Sequence, residues 1–147
     1  MIEWLRRVDS DRPFLTVGGQ TWSYGQTLAE VESKLIDAPR LVQPSLEPAS
    51  VFDVLAGISG GGATVVSPEP ETTRPAQSDL VVFTSGTTGR PKGVRLTKLN
   101  LTAAASASLE HLGHAPEDEW LLDMPLHHVG GLSIVIRQAY TGGSITM

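Results

Sequence analysis

At 147 residues the chain is long enough for one compact domain or a piece of a larger one, and 40% apolar residues supply a core. Sixteen acidic against eleven basic residues give a net charge of −5, and the densest basic run is Arg6-Arg7, which argues against a nucleic-acid partner. Cysteine is absent, so disulfides and thiolate metal sites are excluded, and no stretch approaches the roughly 20 apolar residues a membrane span needs.

The opening residues, Met1-Ile2-Glu3-Trp4-Leu5-Arg6-Arg7, carry an early acid and no following apolar run, unlike a secretory leader. A cytoplasmic protein with no membrane partner is expected. Ile2, Leu5 and Val8 recur at threefold spacing and predict a short helix over Ile2 to Val8. Phe14 to Val17 and Thr21 to Tyr24 flank Gly18-Gly19-Gln20, which reads as a hairpin. Leu28, Val31, Leu35 and Ile36 predict a helix from Gly25 to Ile36, closed by Pro39 and followed by a short strand at Leu41-Val42.

Ser50 is placed to cap a helix over Val51 to Ile58, which Gly60-Gly61-Gly62 ends before a strand at Ala63 to Val66. Pro68 to Gln77 has no periodicity and reads as an exposed loop. Leu80 to Phe83 is a short apolar run, as expected of a strand buried on both faces. Thr97 caps a helix of about Lys98 to His111, and His111 and His114 near its end read as surface residues. Trp120 to Met124 reads as another buried strand, Leu132 to Tyr140 as a helix, and Ser144 to Met147 as a final strand after Gly142-Gly143. Alternating strands and helices predict an α/β class with a largely parallel sheet flanked by helices.

One stretch carries chemistry. Phe83-Thr84-Ser85-Gly86-Thr87-Thr88-Gly89-Arg90-Pro91-Lys92-Gly93-Val94 follows a buried strand with three glycines, four hydroxyls and a lysine. Gly86 and Gly89 let backbone N–H groups approach a ligand closely, and Thr84, Ser85, Thr87 and Thr88 add hydroxyl donors. Lys92 adds a compact cation suited to a terminal phosphate. Together they read as a triphosphate cradle. The common nucleotide loop ends in Gly-Lys-Ser/Thr and opens a helix, whereas Arg90-Pro91 here precede Lys92 and an extended segment follows. A polar hairpin whose glycines serve only the turn is the plainer alternative, but it requires neither four clustered hydroxyls nor a Pro-Lys-Gly ending.

Thr84 to Gly93 closely resembles the phosphate-binding signature of the adenylate-forming superfamily, which includes acyl-CoA synthetases and peptide-synthetase adenylation domains. Downstream, Asp123-Met124-Pro125-Leu126-His127-His128-Val129-Gly130-Gly131-Leu132 resembles the family's Pro-Leu-aromatic-His segment, which opens a helix beside the acyl pocket. The resemblance gives His128 the family's histidine position, with His127 in place of the usual aromatic. Alone, His128 reads as a helix-start histidine satisfied by backbone groups; the ordered pair of motifs turns the reading toward the pocket. Adjacent histidines do not share a face, so no metal site is expected at His127-His128. Tyr24-Gly25-Gln26-Thr27-Leu28 mimics a later family motif, but it precedes the phosphate loop and has Leu28 where the magnesium-binding glutamate belongs.

Gly131-Leu132-Ser133-Ile134-Val135-Ile136-Arg137 resembles the o-succinylbenzoate–CoA ligases of menaquinone biosynthesis. The resemblance implies an ATP-dependent acid–CoA ligase with a carboxylic acid, ATP and CoA as partners. It makes Lys92 and His128 catalytic, Thr84, Ser85, Gly86, Thr87, Thr88, Gly89 and Lys92 the ATP-phosphate site, and His128 and Arg137 the acid site. On spacing alone Arg137 reads equally as an exposed helix arginine. The resemblance further implies that residues 1–147 are a partial N-terminal AMP-binding domain. The Mg²⁺ ligand, the remainder of that domain and the mobile C-terminal domain would then lie beyond Met147, leaving this chain inactive alone. An uncovered apolar sheet face would favour self-association. The alternatives are an amino-acid adenylation domain piece and an inactive phosphate-binding module.

Overall fold

The computed structural model describes residues 1–67, 80–84 and 91–147, so the expected loop from Pro68 to Gln77 lies outside the described residues. The elements run α1 (Ile2–Arg6), β1 (Pro13–Val17), β2 (Gln20–Ser23), α2 (Tyr24–Ser33), β3 (Arg40–Val42), α3 (Pro48–Ser59) and β4 (Thr64–Val66). They continue β5 (Leu80–Thr84), β6 (Lys92–Leu96), α4 (Lys98–Leu112), β7 (Glu119–Leu121), α5 (Val129–Thr141) and β8 (Ser144–Thr146). The α/β class holds, but the strands divide between two sheets. One has the order β2-β1-β8-β7 and the other β3-β4-β5-β6. Each is mostly parallel with one antiparallel pair, β1 with β2 and β5 with β6.

The β1–β2 hairpin turns on Gly18 and Gly19, whose φ values of 56° and 85° lie where a two-residue hairpin loop needs them. Tyr24 belongs to the next helix, not to the strand. Ser23 and Gln26 form a capping box that starts α2 there. Tyr24 is fully buried, and its hydroxyl donates to the carbonyls of Gln138 at 3.0 Å and Gly143 at 2.7 Å. Burial holds this phenol well above its usual value of 10.0, against the opposing pull of Arg12 and Arg7. The contact pins α2 to the end of α5.

Several boundaries differ from the sequence expectations. Helix α1 stops at Arg6, two residues before Val8. Helix α2 ends at Ser33, because Lys34 N–H and Leu35 N–H turn back to the carbonyls of Val31 and Glu32. The next residues run against the triglycine backbone, where a Cβ on Gly60 would strike Ile36 O and one on Gly62 would strike Ala38. That stretch packs backbone to backbone, so Leu35 and Ile36 stay exposed instead of extending the helix. Helix α3 starts at Pro48 with Glu47 as its N-cap. Proline is pre-organised for the first helical position, which moves Ser50 inside the helix, where its hydroxyl accepts the Ser45 N–H at 2.9 Å.

Strand β5 is buried from Leu80 to Val82, as expected of an interior strand between β4 and β6, and Phe83 is half-buried. Strand β7 is shorter than Trp120 to Met124 and is not buried, because it forms the open edge of its sheet. Its register with β8 sets Trp120 beside Ile145, and Ile145 beside Leu15. Trp120 therefore shares the core-facing side, while Glu119 and Leu121 point away and Leu121 is 61% exposed. Among the described residues no helix is long and apolar enough to cross a membrane.

Candidate functional site

Strands β5 and β6 hold the two ends of the glycine- and hydroxyl-rich stretch. Thr84 and Lys92 are cross-strand partners, and the Thr84 hydroxyl donates to the Lys92 carbonyl at 3.4 Å. Both residues are exposed. Ser85, Gly86, Thr87, Thr88 and Gly89 lie outside the described residues. Strand β6 continues from Lys92 to Leu96, about 13 Å at strand rise, and Leu96 reaches the wall of a cleft.

That cleft, about 380 Å³, lies between α4 and α5. Its floor and sides include Leu101, Ala105, Leu132 and Ile136. The space follows from the sequence of α4. Thr97 and Asn100 form a capping box, and the helix then runs through small residues from Ala103 to Ser108, leaving room opposite α5. Asn100, Ser108 and Ser133 add polar atoms, and Arg137 is the charged side chain in the wall.

Arg137 is half-buried, not freely exposed. Its Nη2 donates to Ser133 Oγ at 3.1 Å, and its guanidinium carbon lies 4.6 Å from the centre of the Trp120 ring. Partial burial pulls the pKa of its guanidinium down from the ordinary arginine value. Among the described residues no carboxylate forms an ion pair with it.

Helix α5 begins beside the Asp123–His127 segment. His128 is its N-cap, makes no side-chain capping hydrogen bond, and is exposed. The structural reason for this entry is Gly131, where a Cβ would come 2.7 Å from Pro125 O and closer to Met124 O. Only glycine lets the first turn approach that backbone. The His127 ring lies 4.6 Å from the His128 ring, and its Nδ1 is buried without a hydrogen-bond partner. Burial, then the neighbouring His128, lower the His127 pKa below 6.5. His128 and Arg137 thus mark two stations on one helix, nine residues or roughly 13 Å of rise apart, with Val129 and Ser133 lining the cleft between them.

The sequence reading missed Trp120 and His114 as neighbours of this site. His114 is a buried residue, not a surface one, and stacks on Trp120 at 4.6 Å with an interplanar angle of 15°. The αL conformation of Gly113 (φ 64°) turns the chain after α4 and folds His114 inward. The pairing of β7 with β8 sets Trp120 in register with Ile145, and its ring meets that of His114. His111 is exposed, as expected. Among the described residues no three His, Cys, Asp or Glu side chains gather as a metal site would require.

A family model described as AMP-binding enzyme matches residues 29–147. The chain belongs to this family. A 2-succinylbenzoate–CoA ligase of Bacillus cytotoxicus is 38% identical over 114 residues, covering 78% of this chain and 22% of the ligase. The o-succinylbenzoate CoA synthetase of Bacillus subtilis in complex with the acyl-adenylate intermediate OSB-AMP superposes with a TM-score of 0.74 at 20% identity. That match covers 97% of this chain and 43% of the synthetase. The same enzyme in complex with ATP and magnesium ion gives 0.72 at 21% identity, covering 98% of this chain and 56% of that one. The likeness establishes the fold as the N-terminal portion of the adenylate-forming architecture. The segments aligned in sequence cover 14–22% of the length of the matched ligases, so the chain corresponds to a minor part of them.

Proposed function

We propose that this chain is the N-terminal part of an ATP-dependent acid–CoA ligase whose acid is an aryl dicarboxylate of the o-succinylbenzoate kind. The observation that carries this reading is the α4–α5 cleft, apolar in its walls with Arg137 as its cation. An apolar body fits those walls, and a second carboxylate fits a guanidinium fork that no acidic side chain engages among the described residues. An amino-acid substrate would instead call for an acidic group to meet its amine.

In the first half-reaction a carboxylate oxygen of the acid bonds to the α-phosphorus of ATP, and the bond to the pyrophosphate oxygen breaks. In the second, the CoA sulfur bonds to the acyl carbon and AMP leaves with the electron pair of the broken C–O bond. Lys92, with Thr84, Ser85, Gly86, Thr87, Thr88 and Gly89, would hold the β- and γ-phosphates and neutralise charge on the departing pyrophosphate. His128, the N-cap of α5 next to the cleft-lining Val129, would orient the reacting carboxylate, and Arg137 the other one. A magnesium ion would add charge neutralisation at the phosphates. A cytoplasmic setting, where ATP and CoA are available, goes with this reading, as does a place in menaquinone biosynthesis.

We assign the complete reaction to a protein of the relatives' length, with these 147 residues as a partial AMP-binding domain that does not turn substrate over alone. Exchange of labelled pyrophosphate into ATP tests it. The reading predicts exchange driven by o-succinylbenzoate in the longer protein and abolished by Lys92→Ala. Exchange that ignores this acid, or survives loss of Lys92 undiminished, refutes it.

A further inference from the structure

We infer that Trp120 is a positioning residue for Arg137: it holds the guanidinium plane at the cleft while leaving the N–H donors free for a carboxylate. The inference rests on the function proposed above and concerns how that site obtains its selectivity for a diacid.

A guanidinium carries five donors in one plane, and whatever fixes its orientation usually consumes some of them. A carboxylate partner would occupy a whole edge of the fork and compete with the ligand. Here the restraint is of another kind. The Arg137 guanidinium carbon lies over the Trp120 ring, 4.6 Å from its centre, a cation–π contact that offers the N–H groups no oxygen acceptor to engage. Ser133 Oγ, one turn earlier on α5, accepts a single hydrogen bond from Nη2 at 3.1 Å. Side-chain rotation is therefore restricted by one ring and one hydroxyl, and most of the fork stays available.

The ring is itself fixed. Trp120 pairs in register with Ile145 on β8, and the His114 ring stacks on it. His114 stands on the chain leaving α4, within 3.9 Å of Asp118 Oδ2. The Asp118 main chain is tied in turn, its carbonyl accepting Gln138 Nε2 at 3.2 Å and Ser144 N–H at 3.0 Å. The indole thus sits where α4, β7, β8 and α5 meet, although it belongs to an edge strand. A tryptophan serving only as core filling would not need the arginine beside it, and an arginine serving only solubility would not need to lose water.

The test uses Trp120→Leu, Trp120→Phe and Arg137→Ala with two probes, o-succinylbenzoate and 4-oxo-4-phenylbutanoate, the same skeleton without the ring carboxylate. The readouts are the ratio of the two affinities and the NMR shift of the Arg137 side-chain Hε, which an indole face moves upfield. Trp120→Leu is expected to lower the affinity ratio about threefold to tenfold, the range of a partly desolvated cation–π contact. It should leave 4-oxo-4-phenylbutanoate binding unchanged and return Hε toward its solvent position. Trp120→Phe should restore most of both, which guards against a folding defect in the leucine variant. If Arg137→Ala collapses the ratio while both Trp120 variants keep it, the positioning role is overturned and the substrate reading survives. If wild-type protein shows no preference for the diacid, or Arg137→Ala retains the preference, the substrate reading falls and the inference with it.

Discussion

Thr84 and Lys92 face one another across the β5–β6 ladder, so a hydroxyl and an ammonium are presented where the glycine-rich stretch leaves and re-enters the sheet. Lys92 is exposed, which separates its contribution to ligand binding from any contribution to folding. Lys92→Ala should weaken nucleotide or pyrophosphate binding by about tenfold or more, the worth of a charged hydrogen bond. Its melting temperature should stay near wild type, as for exposed substitutions generally. Isothermal titration beside a thermal melt measures both, and unchanged affinity would remove Lys92 from the phosphate site.

Gly131 sets the angle at which α5 leaves the Asp123–His127 segment. Gly131→Ala puts a methyl group against the Met124 and Pro125 carbonyl oxygens, which are backbone atoms and cannot rotate away. A loss of about 1–3 kcal/mol is expected, typical of overpacking. At Gly130 the methyl meets the Met124 side-chain end, which is flexible, so Gly130→Ala should cost less. Urea midpoints for the two variants check the order, and the reverse order would contradict this packing.

Tyr24 predicts a specific alkaline behaviour. Its folded pKa is raised above the unfolded value near 10 mainly by burial. Between those two values the native state binds more protons than the unfolded state, so stability falls as pH rises. Its contribution is intact below about pH 10 and is lost progressively above it. Tyr24→Phe should cost about 1–3 kcal/mol at neutral pH, because the single buried hydroxyl proton shared between the Gly143 and Gln138 carbonyls is lost. It should also flatten the decline above pH 10. Equal alkaline slopes in the two proteins would contradict the buried-phenol account.

His127 should titrate below the usual histidine range, with burial as the larger cause and His128 the smaller. His128→Ala should therefore raise the His127 pKa only part of the way back. Ring-proton NMR titration reads this directly. Full recovery would make His128 the dominant cause, and no change would remove it as one.

The local features of the fold were legible where one residue type has one physical use. Gly18-Gly19 marked a hairpin because few other residues tolerate positive φ twice in succession, and Thr97 marked a helix start because its hydroxyl satisfies an orphan N–H. Ser50 misled for the same reason: it is a good cap, but Pro48 takes the first helical position and moves the start upstream. The division into two sheets was not legible, since apolar strand runs do not name their partners. Edge position of β7 follows from that pairing, so exposure of Leu121 could not be foreseen either.

The candidate site divides along the same line. His128, Lys92 and Arg137 stood out by motif, while the cleft beside Arg137 arises from small side chains on α4 facing α5, a relation across elements. Trp120 and His114 acquire their place when β7 pairs with β8 and the chain turns at Gly113. A hint did exist. An arginine at the middle of an otherwise apolar helix must find something to cover its stem and face, and tryptophan is the best such surface.

The central claim is that the α4–α5 cleft receives an apolar acid whose second carboxylate meets Arg137. Pyrophosphate exchange by the ligase of relatives' length, with o-succinylbenzoate and 4-oxo-4-phenylbutanoate compared in wild type and Arg137→Ala, tests it most directly. The account predicts a strong preference for the diacid in wild type that disappears in the variant, largely through KM. A preference that persists without Arg137 would place the second carboxylate elsewhere and contradict the account.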